Sequence, residues 1–221
     1  MEPRLDILPE SQRKLWPLLG DIPSTFVLYG GTAVALRFGH RISVDFDFFS
    51  SVPYDGDTIM ALPLFNEGEL LNRTPSSITL IVHAPEPVKF QFFWDLPLSR
   101  AGTPELLDPP GILVASPYDL LATKLKVLQD RAEKKDYLDL AQFLLHGYDL
   151  ADGLAAASVV YRNRFNPAVS LRAAVSFADG DLPTLPKSCC RILEQAVANF
   201  WQSNRKLPEK TAESLLLHLP D

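Results

Sequence analysis

The sequence is poor in the residues that staple, anchor or metallate small proteins. Of 221 residues only two are cysteines, and these are neighbours, Cys189 and Cys190. Adjacent cysteines close no useful loop and lack metal-ligand spacing. They read as small apolar residues of a helix, in keeping with a reducing cytoplasm. The histidines His40, His83, His146 and His218 are scattered, with no zinc pattern and no nucleophile triad. His40 reads as a turn residue. No window of 18 apolar residues exists, so no membrane span is expected. Met1 is followed by Glu2-Pro3-Arg4, not by a basic and then apolar leader, which also points to the cytoplasm. A basic excess is missing too. The net charge of −6 argues against the broad footprint of a general nucleic-acid binder, but leaves room for a local patch.

Proline is plentiful but absent where it matters. Fourteen of the 19 prolines fall in residues 1–117, and none lies between Tyr118 and Asn166. Because proline breaks helices, the first half should be rich in strands and loops and the next stretch mostly helical. A soft boundary falls near Pro109-Pro110, giving regions 1–110 and 111–221. The length suffices for one large domain or two small ones without disulfides.

The stretch from Phe26 to Phe49 organises the rest. Phe26 to Tyr29 is a short apolar run ending at two glycines, a buried-strand signature. Gly30-Gly31 permits a tight turn and close approach of a ligand. Thr32 is placed to cap the short helix that follows, and Gly39 to end it. Such a helix start offers free N–H groups and a positive dipole end to phosphates. In the next strand Asp45 and Asp47 are two apart, so they share a face about 7 Å apart, while Val44, Phe46 and Phe48 point into a core. Two carboxylates on one face call for a cation. Mg²⁺ fits, since it takes one or two carboxylates plus phosphate oxygens. The plain alternative is a solvated strand face with ordinary surface charges.

Gly30-Gly31-Thr32 followed by Asp45-Phe46-Asp47 resembles the first motif of the DNA polymerase beta-like nucleotidyltransferase superfamily. The fuller wording, Gly39-His-Arg-Ile-Ser-Val-Asp-Phe-Asp-Phe-Phe49, is similar to the AbiEii/AbiGii-type abortive-infection toxins. Lys124 through Asp139 and Tyr161-Arg-Asn-Arg-Phe-Asn-Pro167 match that branch as well, so the resemblance runs from about residue 26 to residue 180. It implies a catalytic set of Asp45, Asp47, Lys124 and Asp136, with the metal, Mg²⁺ or Mn²⁺, on Asp45 and Asp47. It implies substrate contacts from Gly30, Gly31, Thr32, Arg41, Ser43 and Asp139, Asp136 and Asp139 being rival active-site carboxylates. The implied partners are an NTP, an RNA acceptor such as tRNA, and a cognate antitoxin acting without stable contact.

Elsewhere, Ser11 to Leu19 reads as a helix with Leu15, Trp16 and Leu19 on one side, and Asp57 to Leu62 as another. Leu70-Leu71, Ile78 to Val82 and Val88 to Phe93 read as strands separated by proline turns. With the two opening strands they make a five-stranded mixed sheet. Many superfamily members carry a third metal carboxylate on a later strand. Here Gln91 occupies that inward position and Asp95 comes only at the strand's end.

Ser116-Pro117 opens a helix whose apolar side is Leu120, Leu121, Leu125, Val127 and Leu128. Lys124 lies on that side, whereas Lys126 falls near the polar flank. An inward lysine needs an anion, unless it snorkels to water. Asp136 and Asp139 share a helix face; Asp136 also suits a helix start electrostatically, and Arg131 to Lys135 reads as a solvated charge run. Asp149 to Tyr161, Pro167 to Phe177 and Lys187 to Trp201 read as further helices, and Arg162, Arg164 and Arg172 as a modest basic cluster. The tail from Leu207 to Asp221 is expected to pack loosely.

The expected fold is α+β: a nucleotidyltransferase-type mixed sheet with flanking helices, followed by a helical C-terminal half. The expected activity is Mg²⁺-dependent transfer of a nucleoside monophosphate from an NTP to an acceptor. An inactive nucleotide-binding or regulatory relative is one alternative, and an antibiotic nucleotidyltransferase another.

Overall fold

The computed structural model describes residues 1–203, 206–210 and 213–214. His218 and most of the tail after Lys210 lie outside the described residues. Two compact units are present. One comprises Met1–Leu98 and Thr103–Ser116, the other Ser99–Gly102 and Pro117–Glu213.

The first unit opens with α1 (Glu10–Leu15) and a 3-10 turn, Trp16–Asp21, which bury Leu15, Trp16 and Leu19 as expected. It is then built on β1 (Val27–Tyr29), α2 (Gly30–Phe38), β2 (Asp45–Phe49), α3 (Gly56–Met60), β3 (Glu69–Thr74), β4 (Ser77–His83) and β5 (Pro87–Phe93). After β6 (Ser99–Arg100), which belongs to the other unit, come β7 (Glu105–Leu107) and β8 (Ile112–Val114). Among the described residues the sheet has seven strands, not the expected five, in the order β3-β4-β5-β2-β1-β8-β7. It is mixed: β1 runs parallel to β8 and antiparallel to β2, which runs parallel to β5. β7 and β8, which the sequence reading missed, flank the Pro109-Pro110 pair.

Period-two alternation makes the core. The in-register partners Phe46 and Phe90 stack at 5.1 Å, Phe48 and Phe92 at 5.2 Å. Phe65 meets both β5 rings edge-on, and each such aromatic pair is worth about 0.5–1.5 kcal/mol beyond its area. All five rings are buried. The opposite face of the same strands carries the half-exposed Asp45, Asp47, Phe49, Lys89, Gln91 and Phe93. Val44 does not join the core: it lies just before β2 and is 55% exposed. β3 is an edge strand exposed along its whole length, including Leu70 and Leu71.

The second unit is helical: α4 (Pro117–Val127), α5 (Lys134–Leu145), α6 (Leu150–Tyr161), α7 (Pro167–Ala173) and α8 (Lys187–Ser203). Pro117 takes the first helical position of α4. Asp149 caps α6 by accepting from the Ala151 amide at 2.7 Å, and Asn166 caps α7 by accepting from Ala168 at 3.0 Å. α6 packs so closely on α4 that a Cβ at Gly153 would stand 2.6 Å from Leu121 Cδ2. Cys189 is buried in α8, its Sγ 3.7 Å from the Tyr137 carbonyl, and burial pushes its thiol up to about 11. Both cysteines are free thiols. Arg162, Arg164 and Arg172 are all exposed.

Candidate active site

In the first unit the structure gathers seven of the sequence-predicted site residues. Tyr29, the last residue of β1, sits opposite Asp47 of β2, so Gly30 falls directly beside that carboxylate. Gly30 has φ +72°, and a Cβ there would overlap Asp47 Oδ2. Both facts demand glycine. At Gly31 a Cβ would stand 2.5 Å from Arg41 Nη2 and 3.0 Å from Ser43 Oγ. The glycine pair thus lets an aspartate and a guanidinium close in on the first turn of α2.

Thr32 has a different place from the one expected. It does not cap α2, which starts at Gly30 with Tyr29 as the capping position and no side-chain cap. Thr32 is buried, and its hydroxyl donates to the carbonyl of Asp45. That bond ties the helix start to the strand bearing the carboxylates. Gly39 ends α2 in the left-handed region, as expected, its N–H bonding the Ala35 carbonyl.

Asp45 and Asp47 share the half-exposed face of β2. On the parallel neighbour β5, Gln91 stands opposite Asp47 and Lys89 opposite Asp45. Lys89 Nζ lies 3.1 Å from Asp45 Oδ2. The sequence reading placed Gln91 inward but passed over Lys89. The signal was there: two residues before Gln91 on a strand means the same face. Among the described residues no group of three His, Cys, Asp or Glu side chains is arranged to hold a metal ion. The donor set still fits a hard divalent cation, because two carboxylates completed by substrate oxygens match Mg²⁺ preference. Asp95 follows the end of β5 and has φ 53°.

In the second unit the structure joins the other three. Lys124 of α4 is buried, and its Nζ donates to Asp136 Oδ1 at 2.8 Å and lies 2.6 Å from Asp139 Oδ2. Asp136 and Asp139 are i,i+3 neighbours on α5 and both fully buried. The lysine contacts both carboxylates. Arg131, read as part of a solvated run, donates from Nε to Asp136 Oδ2 at 2.9 Å. Burial would raise the Asp136 carboxyl. The charge of Lys124, helped by hydrogen bonds from Arg131 and Lys124, outweighs it and holds the group below the usual carboxylate range. Lys126 instead makes an i,i+4 pair with the exposed Asp130, so the expected helix phase is correct.

The family model of the AbiEii nucleotidyl transferase toxins of type IV toxin–antitoxin systems matches residues 20–200. The chain belongs to this family. It is also 32% identical over 164 residues to an uncharacterized protein of Aquifex aeolicus, spanning 72% of this chain and 76% of that one. Among solved structures it resembles a protein from H. pylori assigned as a nucleotidyltransferase. The TM-score is 0.54 at 17% identity, covering 89% of this chain and 96% of that one. The nucleotidyltransferase toxin MenT4 of Mycobacterium tuberculosis gives a TM-score of 0.53 at 17% identity, over 86% and 90%. These two likenesses show a shared nucleotidyltransferase fold, in line with the α+β expectation. No helix among the described residues is long and apolar enough to cross a membrane.

Proposed function

We propose that this AbiEii-family chain transfers a nucleoside monophosphate from an NTP to a hydroxyl of an RNA acceptor such as tRNA. It would act in the cytoplasm as the toxin of its system, with an antitoxin that need not bind it. The observation that carries this reading is the placement of Asp45 and Asp47 on one sheet face against the glycine start of α2. The acceptor hydroxyl oxygen bonds to the α-phosphorus as its proton passes to solvent, the bond from that phosphorus to the β-phosphate bridge breaks, and pyrophosphate leaves with its electron pair. Gly30, Gly31 and Thr32 present the first turn of α2 to phosphate oxygens, with the Arg41 guanidinium and Ser43 hydroxyl beside them. Asp45 and Asp47 would hold Mg²⁺, or Mn²⁺; when bound it neutralises phosphate charge and makes the attacking hydroxyl more acidic. From the family resemblance, Lys124, held by Asp136 and Asp139, is proposed as a further catalytic residue.

A second reading, nucleotide binding without turnover, is favoured by one feature: the neutral Gln91 stands beside Asp47 where a further carboxylate would serve a metal. Transfer from labelled NTPs to total tRNA and to a panel of aminoglycosides separates the readings. Labelled tRNA from the wild type, lost in Asp47→Ala, is the expected result. Labelled aminoglycosides and unlabelled RNA would move the assignment to antibiotic modification. Bound NTP without transfer to either would leave a binding protein.

A further inference from the structure

Lys89 is a cation placed where the chemistry wants a divalent one. The parallel register of β2 and β5 sets it opposite Asp45, with Nζ 3.1 Å from Oδ2. The next residue on that face of β5, Gln91, is neutral. Lys89 therefore partly neutralises Asp45. The pair is reachable from solvent, its side chains being 35% and 36% exposed. An ammonium on a four-carbon stem is a flexible point charge, able to withdraw from a carboxylate without moving the backbone.

We propose that Lys89 is a tethered counter-ion of Asp45 which a divalent cation must displace, so that this lysine sets the cation concentration at which the site fills. The inference rests on the two-aspartate metal reading above. Lys89 stabilises the nucleotide-free strand pair by partly neutralising Asp45, and for the same reason opposes the entering cation. It is a positioning residue, acting through the carboxylate.

The test is Mn²⁺ binding to the nucleotide-free full chain, followed by the electron paramagnetic resonance of free Mn²⁺ at constant ionic strength. Wild type, Lys89→Met, Lys89→Arg and Asp45→Asn are compared, each with a melting curve. Lys89→Met should bind Mn²⁺ roughly 3- to 10-fold more tightly, the scale of losing a half-exposed cation beside the site. Lys89→Arg should stay near the wild type. A lysine with only a structural role would lower the melting temperature without tightening metal binding. Unchanged or weaker binding by Lys89→Met, or equal tightening by Lys89→Arg, overturns the displacement while the metal reading stands. If Asp45→Asn binds Mn²⁺ as well as wild type, the metal reading fails and takes the displacement with it.

Discussion

Replacing Lys124 by alanine should cost this protein much more stability than replacing Lys126, although the two residues lie on one helix two positions apart. They stand about 200° apart around the axis. The Lys124 side chain is 5% exposed and holds two carboxylates that are 0% exposed. The Lys126 side chain meets one carboxylate that is 56% exposed. Lys124→Ala strips the shared cation from two buried carboxylates. Breaking a buried pair from one side costs about 3–5 kcal/mol. In a chain of this size each kcal/mol moves the melting temperature by about 2–4 °C, so a fall of about 6–20 °C is expected. Lys126→Ala removes a surface i,i+4 pair worth about 0.5 kcal/mol or less, hence about 2 °C at most. Melting curves by circular dichroism decide this. Because Lys124→Ala is destabilised, lost nucleotidyl transfer in that variant alone would be ambiguous. The double variant Lys124→Met/Asp139→Asn removes one charge of each sign and keeps the Arg131–Asp136 pair. It should recover most of the stability, since neutral replacement of buried ion pairs is often tolerated, while transfer stays down by about 10²–10³. Equal melting of the two single variants would refute the burial argument. Restored transfer in the double variant would refute the proposed catalytic role of Lys124.

Three further outcomes follow from other contacts. Gly30→Ala must hold an L-residue at φ +72° and push Asp47 aside; it should lose about 1–2 kcal/mol from the left-handed backbone alone and also weaken Mn²⁺ binding, and wild-type melting would contradict this. Asp136 is depressed in the folded state, so its contribution is complete above its unfolded value of about 4 and disappears as pH falls through the lower folded value. Urea denaturation of the wild type should therefore lose stability below pH of about 4, and Asp136→Asn should show a shallower acid slope; identical slopes would be evidence against the shift. Gly153→Ala gains about 1 kcal/mol of helix propensity but puts a methyl 2.6 Å from Leu121 Cδ2 and 3.0 Å from Leu125 Cδ1. Overpacking of about 1–3 kcal/mol should win, and a raised melting temperature would show that α4 yields instead.

Alternation made the centre of the sheet readable. Phe46 and Phe48, like Val88, Phe90 and Phe92, repeat every second residue over runs long enough to reveal a buried face. β7 and β8 offered only three residues each, beside Pro109 and Pro110. No period can be seen in so short a run, and the prolines suggested a boundary. Their strand geometry comes from pairing: β8 is held along β1 and β7 along β8, contacts between distant parts of the sequence. The misplacement of Thr32 has a similar cause. A hydroxyl near a helix start favours capping locally, but here a carbonyl 13 residues away takes its hydrogen bond.

For the site, helix and strand phase showed which way side chains face, and distant pairing decided what they meet. Lys124 could be placed inward from its spacing to Leu121 and Leu128, yet its anion could have been Asp45 and Asp47, a phosphate, or the α5 pair. Lys89 shared the face of Gln91 by alternation, but only the register of β5 against β2 sets it on Asp45. Each pair of aspartates has thus acquired a lysine from a neighbouring element, and burial distinguishes the two arrangements. Around Lys124 the surroundings are dry, so removing one partner leaves a buried charge and is costly. Around Lys89 water screens the pair, so separating its two charges costs little. Exchanging the two environments would reverse this: a buried Lys89–Asp45 pair would be costly to open, and a solvated Lys124 would lose its fixed position.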